Sequence, residues 1–249
     1  MTVVGLLVAA GSGERLGAGR PKAFVECAGR PLLEWSLDAL RPICDRVVVA
    51  VPPDLAGTAP GWVAGATSRS GSVRAALCEV PEAQVAVVHD AARPLLSAAL
   101  VERCLAALAE GWDGAVAAAP LTDTVKETAP GQTRVVRTLP RRGLWAVQTP
   151  QVFRADALRA ALEVDDDALA AASDDASLVE AAGGAVRLVE APAENLKVTS
   201  KLDLRLAETL LRARESGSSP STLPPASGTG DASGGVGLLE TGRALHTRD

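Results

Sequence analysis

Two cations seven residues apart, Arg15 and Lys22, stand in a glycine-rich turn that directly follows an apolar run, VVGLLVAAGSGERLGAGRPKAF (3–24). Gly11, Ser12, Gly13 and Gly17 keep the backbone slim, and a turn that feeds a helix presents its N–H groups to anions. Three phosphate-binding readings compete. A Walker loop requires G-x-x-x-x-G-K-[ST]; Lys22 follows Pro21 and has no hydroxyl residue after it, so that reading fails. A dinucleotide fingerprint needs a third glycine where Leu16 stands and an acidic residue closing the second strand, so Gly11-x-Gly13-x-x-Leu16 is a weak match. The third reading is a nucleoside triphosphate held by backbone N–H groups and the two cations. Attack on a nucleotide phosphorus spreads negative charge over nonbridging oxygens, which positioning and fixed positive charge stabilise. Arginine supplies a planar fork for two oxygens, lysine a mobile point charge. Against all three stands the plain alternative that both are solvated loop side chains.

Such a turn needs a frame. Residues 3–10, 46–51, 84–89 and 114–119 are short Val- and Ala-rich runs bounded by Gly, Pro or Asp, and read as strands. Between them 31–40, 72–78 and 97–108 are amphipathic, with Pro31 suited to a first helical turn and Ser97 to an N-cap. Continuous apolar strands alternating with helices predict an α/β fold with a mostly parallel sheet covered on both faces. Ligands bind such sheets beyond the carboxyl ends of the strands. The opening turn lies there, as does HDAARP (89–94), which puts Asp90 at a strand end.

From 121 to 145 the texture changes to alternating Thr, Val and charge about Pro130-Gly131, a β-hairpin or arm polar on both faces. An exposed arm hints at an oligomer; a surface hairpin within one subunit is the alternative. SDDASLVEAAGG (173–184) reads as a capped helix, 185–190 as a strand, and 194–214 as a turn carrying Lys197 followed by an amphipathic helix. From Glu215 to Asp249 the composition is too poor in apolar residues to order itself, so one domain spanning 1–214 with a disordered tail is expected.

Composition removes other classes. A net charge of −5 argues against binding nucleic acid. No apolar run reaches the ~18 residues of a membrane span. The first strand lacks the basic leader of a signal peptide. Cys27, Cys44, Cys78 and Cys104 are scattered, without metal spacing, and read as mostly buried reduced thiols of a cytosolic protein.

AAGSGERLGAGRPK resembles the signature of the sugar-phosphate nucleotidyltransferases. VHDAARP, DTVK (123–126), RGLWAVQTPQVF (142–153), SDDAS and ENLKVTS then follow in the order found in the 2-C-methyl-D-erythritol 4-phosphate cytidylyltransferase family. The likeness spans 3–214 and leaves the tail without a counterpart. It implies a Rossmann-like nucleotidyltransferase sheet with a dimerising β-arm. It also implies a cytoplasmic homodimer that uses Mg²⁺ and transfers CMP from CTP to a sugar-alcohol phosphate, the 4-phosphate of methylerythritol phosphate, with loss of pyrophosphate.

The resemblance also implies roles. Arg15, Lys22 and Lys197 would stabilise the reacting phosphates. Arg141, with Arg142 as second candidate, and Thr124 would hold the 4-phosphate from the neighbouring subunit's arm. Ala9, Ala10, Gly11, Ser12, Gly13, Ser72 and Asp90 would contact CTP. Asp90 would sit near substrate hydroxyls and metal, with Arg93, Thr149 and Ser173 lining the pocket. Arg69, Ser72 and Val73 match the family's R-x-x-S-V, but Ala66-Thr67-Ser68 replaces its glycine pair; backbone contacts survive this only if no left-handed φ is needed. The rivals are a ribitol 5-phosphate cytidylyltransferase, a non-catalytic nucleotide-binding module and, third, a nicotinamide-dependent oxidoreductase.

Overall fold

The computed structural model describes residues 1–13, 16–17 and 19–216. In chain order come β1 (Val3–Val8), the short pair β2 (Glu26–Cys27) and β3 (Arg30–Pro31), α1 (Leu32–Leu40), β4 (Arg46–Val51), β5 (Trp62–Ala64) and α2 (Arg69–Cys78). Then follow β6 (Val85–Asp90), α3 (Ala98–Leu108), β7 (Gly114–Pro120), β8 (Val125–Thr128), β9 (Val135–Leu139) and β10 (Trp145–Arg154). The chain continues through α4 (Ala155–Leu162), α5 (Asp166–Ala171), α6 (Asp175–Ala181), β11 (Val186–Glu190) and α7 (Lys201–Glu215).

Seven strands form one sheet in the order β11-β7-β10-β6-β1-β4-β5. All its pairings are parallel except those of β10, which runs antiparallel to both β6 and β7. The period of two along β1 divides the core. Val3 and Leu7 face α1 and α3; Val4 and Leu6 face α2, α4, α5 and α6. A third cluster joins Leu16, Val25, Leu32 and Val198 to Ala207 and Leu211 of α7. At roughly 1.5–3 kcal/mol for each fully buried large aliphatic side chain, these layers supply the main drive for folding.

The expected helices form, with shifted starts. Ser97 caps α3 by accepting from Leu100 N at 3.3 Å. α2 begins earlier than 72 because Ser68 Oγ accepts from Gly71 N at 3.0 Å, and Pro31 stands just before α1, without a capping hydrogen bond, rather than opening it. The arm is a separate two-stranded sheet of β8 and β9, closed by Gln132 N to Ala129 O at 3.0 Å with Gly131 at φ 71. β2, β3, β5, β10, α4 and α5 add to the expected elements. Beyond Ser216 the expected tail lies outside the described residues.

Candidate active site

The carboxyl ends of β1, β4 and β6 lie side by side, with Val8 opposite both Ala50 and Asp90. The glycine turn therefore leaves the sheet next to Asp90. Gly13 sits at φ 75, and a Cβ there would meet Lys22 Cβ at 2.9 Å and Lys22 N at 3.0 Å. Only glycine lets the turn fold down onto Lys22, whose own N–H donates to Gly11 O at 3.2 Å. Gly11 and Ser12 are exposed, Ala10 is half-buried, and Ala9 is buried with its N–H bound to Ala50 O at 2.8 Å. Arg15 lies outside the described residues.

A loop from the far end of the chain closes over this edge. Val198 N donates to Ala92 O at 2.8 Å, and Arg93 Nη1 donates to Asn195 O at 2.7 Å. Its far side is anchored by the capping box of α7, in which Asp203 accepts from Thr199 and Ser200 while Ser200 Oγ accepts from Asp203 N. Those bonds, led by the Thr199 hydroxyl, hold the Asp203 carboxyl down at about 2. Lys22 Nζ donates to Val198 O at 2.9 Å, and the preceding residue, Lys197, reaches Asp90 Oδ2 at 2.7 Å. Two predicted cations from opposite ends of the chain are thus neighbours.

Asp90 is the hub. Its other oxygen accepts from Arg69 Nε at 2.9 Å, and Arg69 Nη1 continues to Asp175 Oδ2 at 2.5 Å. Burial pushes the Asp90 carboxyl up, but the charges of Arg69 and Lys197 outweigh it and hold the group well below the usual carboxylate range. The backbone N–H of Asp90 donates to Thr149 Oγ1 at 3.1 Å. That hydroxyl also meets His89 Nδ1 at 2.9 Å, while His89 Nε2 meets Arg93 O at 3.1 Å. Burial pushes His89 down to about 4, so the imidazole is neutral at pH 7 with both nitrogens engaged.

A cavity of about 440 Å³ opens beside the hub, lined in part by Asp90, Arg93, Thr149, Ser173, Lys197 and Arg69. Five of the expected site residues therefore share one wall. Asn195 braces it through Gln148 Oε1 at 2.8 Å and Thr149 O at 2.9 Å, and Gln151 Nε2 donates to Asp174 Oδ2 at 2.8 Å. Arg93 Nε and Gln151 Oε1 are buried without hydrogen-bond partners. Thr124 and Arg141 are exposed at the root of the arm and do not line the cavity; Arg141 donates to the Thr122 carbonyl.

Ser72 is buried, and its hydroxyl braces the adjoining loop, accepting from Ala66 N at 3.0 Å and donating to Ser68 O at 2.9 Å. Among the described residues the only non-glycine at positive φ is Ala28, so Ala66, Thr67 and Ser68 occupy their stretch without left-handed strain. The replaced glycine pair is accommodated by the backbone as it stands.

Sequence reasoning did not assign Arg69, Asp175, Gln148, Gln151 or Asn195 to the site. The only signal for Arg69 was its place in R-x-x-S-V; Asp175 read as one acid in a helix-opening SDDAS. A different hollow, about 710 Å³, lies at the amino ends of β1 and β6, around Met1, Gln84 and Arg154. It lies away from Asp90 and the cations, and open α/β sheets carry their chemistry at the opposite edge.

The model of the family described as IspD, 2-C-methyl-D-erythritol 4-phosphate cytidylyltransferase, matches residues 3–213. An enzyme of that name from Frankia casuarinae is 46% identical over 220 residues, covering 84% of this chain and 81% of the relative. One from Rubrobacter xylanophilus is 40% identical over 228 residues, covering 85% and 96%. The crystal structure of the 2-C-methyl-D-erythritol 4-phosphate cytidylyltransferase from Thermus thermophilus superposes with a TM-score of 0.70 at 41% identity, covering 85% of this chain and 100% of that one. The chain belongs to the 2-C-methyl-D-erythritol 4-phosphate cytidylyltransferase family.

Proposed function

We propose that the cavity beside Asp90 takes the methylerythritol part of the acceptor and the glycine turn takes CTP, so that the two phosphates meet between Lys22 and Lys197. The enzyme transfers CMP from CTP to the 4-phosphate of 2-C-methyl-D-erythritol 4-phosphate. The observation that carries the assignment of roles is that Lys22 is tied to the carbonyl of Val198, the residue next to Lys197, and that Lys197 lines the cavity beside Asp90.

An oxygen of the 4-phosphate bonds to the α-phosphorus as the bond to the pyrophosphate oxygen breaks in line. The nucleophile is already anionic, so no base is required, in keeping with a neutral, fully engaged His89. Lys22 and Lys197, with Arg15 from the turn, meet the charge that grows on the nonbridging oxygens. Arg93 and Gln151 line the cavity together with Asp90, Thr149 and Ser173, a set of polar side chains that suits the hydroxyls of a polyol. Gly11, Ser12 and Gly13 would carry the triphosphate, Ala9 and Ala10 the base through backbone atoms, and Ser72 would keep the 66–68 loop in place beside it.

Mg²⁺ is the metal this site fits. Among the described residues no three acidic, histidine or cysteine side chains cluster to cage an ion, and Mg²⁺ is commonly held by one carboxylate plus substrate phosphates. Asp90 would be that carboxylate, since each oxygen retains a lone pair beside its bond to Arg69 or Lys197. When bound, the ion supplies charge neutralisation of the triphosphate.

We further infer a cytoplasmic homodimer in which each arm brings Thr124 and Arg141 to the neighbour's 4-phosphate, with catalysis confined to residues 1–214. The arm's exposed Val135 and Val136, its separation from the main sheet, and the absence of Arg141 from its own subunit's cavity lining support this. The free thiols of Cys27, Cys44, Cys78 and Cys104 suit a reducing compartment.

The deciding experiment is pyrophosphate release with Mg²⁺ and CTP, comparing methylerythritol 4-phosphate with ribitol 5-phosphate. Release with the first alone is expected. Release with the second alone would overturn the acceptor, and CTP binding without release from either would make the chain a binding module.

A further inference from the structure

Lys197, Asp90, Arg69 and Asp175 form an unbranched chain of alternating charge, joined at 2.7, 2.9 and 2.5 Å. Its two ends differ. Lys197 faces the cavity with 39% of its side chain exposed, whereas the Asp175 side chain is wholly buried, is absent from the cavity lining, and has no other hydrogen-bond partner. Asp175 therefore cannot touch a substrate in that cavity. Its side-chain link to the site runs through Arg69, which spans from the first turn of α2 to the end of β6 and the start of α6.

We propose that Arg69, held by Asp175, is a positioning residue for Lys197: it keeps Asp90 compensated so that Lys197 can leave that carboxylate for a reacting phosphate. This rests on the reading above, that Lys197 meets the phosphates. Lys197 cannot serve Asp90 and a phosphate equally at once, and unpairing a carboxylate only 10% exposed is unfavourable unless a second cation stays on it. Arg69 is the protein's own such cation, in place on Asp90 whether or not Mg²⁺ is bound. It stays because its other edge is fixed by a buried carboxylate, and a planar fork serves two carboxylates as a lysine cannot.

The test is a double-mutant cycle in the full-length enzyme, with Asp175→Asn, Lys197→Gln and both together, reading kcat and KM for each substrate and the Kd of CTP with Mg²⁺. Asp175→Asn keeps shape and an acceptor but removes the charge that anchors Arg69. The expectation is a kcat lowered by about 10- to 100-fold with the Kd of CTP within about threefold, as for a misplaced rather than a missing group. In the Lys197→Gln background the same substitution should cost almost nothing, because its route of action is gone. A merely structural Asp175 would cost the same factor in both backgrounds. An undiminished effect there, or an Asp175→Asn enzyme within about twofold of wild-type kcat, overturns the proposal. A Lys197→Gln enzyme with normal kcat would instead overturn the reading of Lys197 beneath it. Should Asp175→Asn fold poorly, Arg69→Lys goes through the same cycle with the same expectation.

Discussion

Replacing Arg69 by methionine, of similar reach but without charge, strands two carboxylates of unequal recourse. Asp90 keeps Lys197 at 2.7 Å. Asp175, 0% exposed and bonded only to Arg69, is left with no counter-charge, and its Oδ1 already lacks a partner. Removing one member of a buried ion pair costs about 3–5 kcal/mol, and Arg69, 26% exposed, belongs in that class rather than among surface pairs. For a domain of this length each kcal/mol moves Tm by about 2–4 °C, so Arg69→Met should melt about 6–20 °C below wild type. Urea unfolding at pH 7 gives the free energy directly, and adding Asp175→Asn separates causes. If the loss comes from a stranded charge, Arg69→Met/Asp175→Asn should regain about 1–3 kcal/mol over Arg69→Met alone. A single variant within about 1 kcal/mol of wild type, or a double variant at the sum of the two single losses, would refute the reasoning.

Lys22→Ala should lower kcat by about 10²–10³, the usual loss when one preorganised group for developing oxyanion charge is removed; pyrophosphate release measures it, and near-normal turnover by a folded variant contradicts the role. His89 is held at about 4, below its ordinary 6.5, so the folded state resists its protonation. Its contribution is full above pH 6.5 and lost as pH falls toward 4, about 3 kcal/mol at about 1.4 kcal/mol per pH unit; urea midpoints should show that slope in wild type and not in His89→Gln. If arms act across the dimer, mixing inactive Lys22→Ala and Arg141→Ala subunits builds one intact site per heterodimer and restores about a quarter of wild-type activity. Silence from a mixture shown to exchange subunits would place Arg141 in its own subunit's site.

Some of the fold was legible because it is local. The continuous apolar run of β1, the Ser97 cap and the Pro130-Gly131 turn depend on neighbours within a few residues, and each formed where its chemistry stands. β10 escaped because Gln148, Thr149 and Pro150 break its apolar run, and a proline argues against a central strand. Here the ladder to β7 shifts register between Val147 and Gln151, across the cis Thr149-Pro150 bond. The residues freed from the ladder brace the cavity: Thr149 bonds Asp90 N, and Gln148 bonds Asn195. A strand that breaks its own rules at a site is the expected place for pattern reading to fail.

Read alone, the chain determined the kind of chemistry: a glycine turn with two cations after a buried strand, an aspartate closing another strand, a lysine in a late turn. It did not determine which charges meet. Lys197 and Asp90 are 107 residues apart, and Arg69 and Asp175 are 106 apart. Their pairing depends on β6 lying beside β1 and on the 194–199 segment folding back over the sheet edge. Local propensity carries no information about contacts that exist only once the layers pack. The ion chain behind Lys197 could therefore be seen only in three dimensions, where burial turns four ordinary charged residues into one coupled unit.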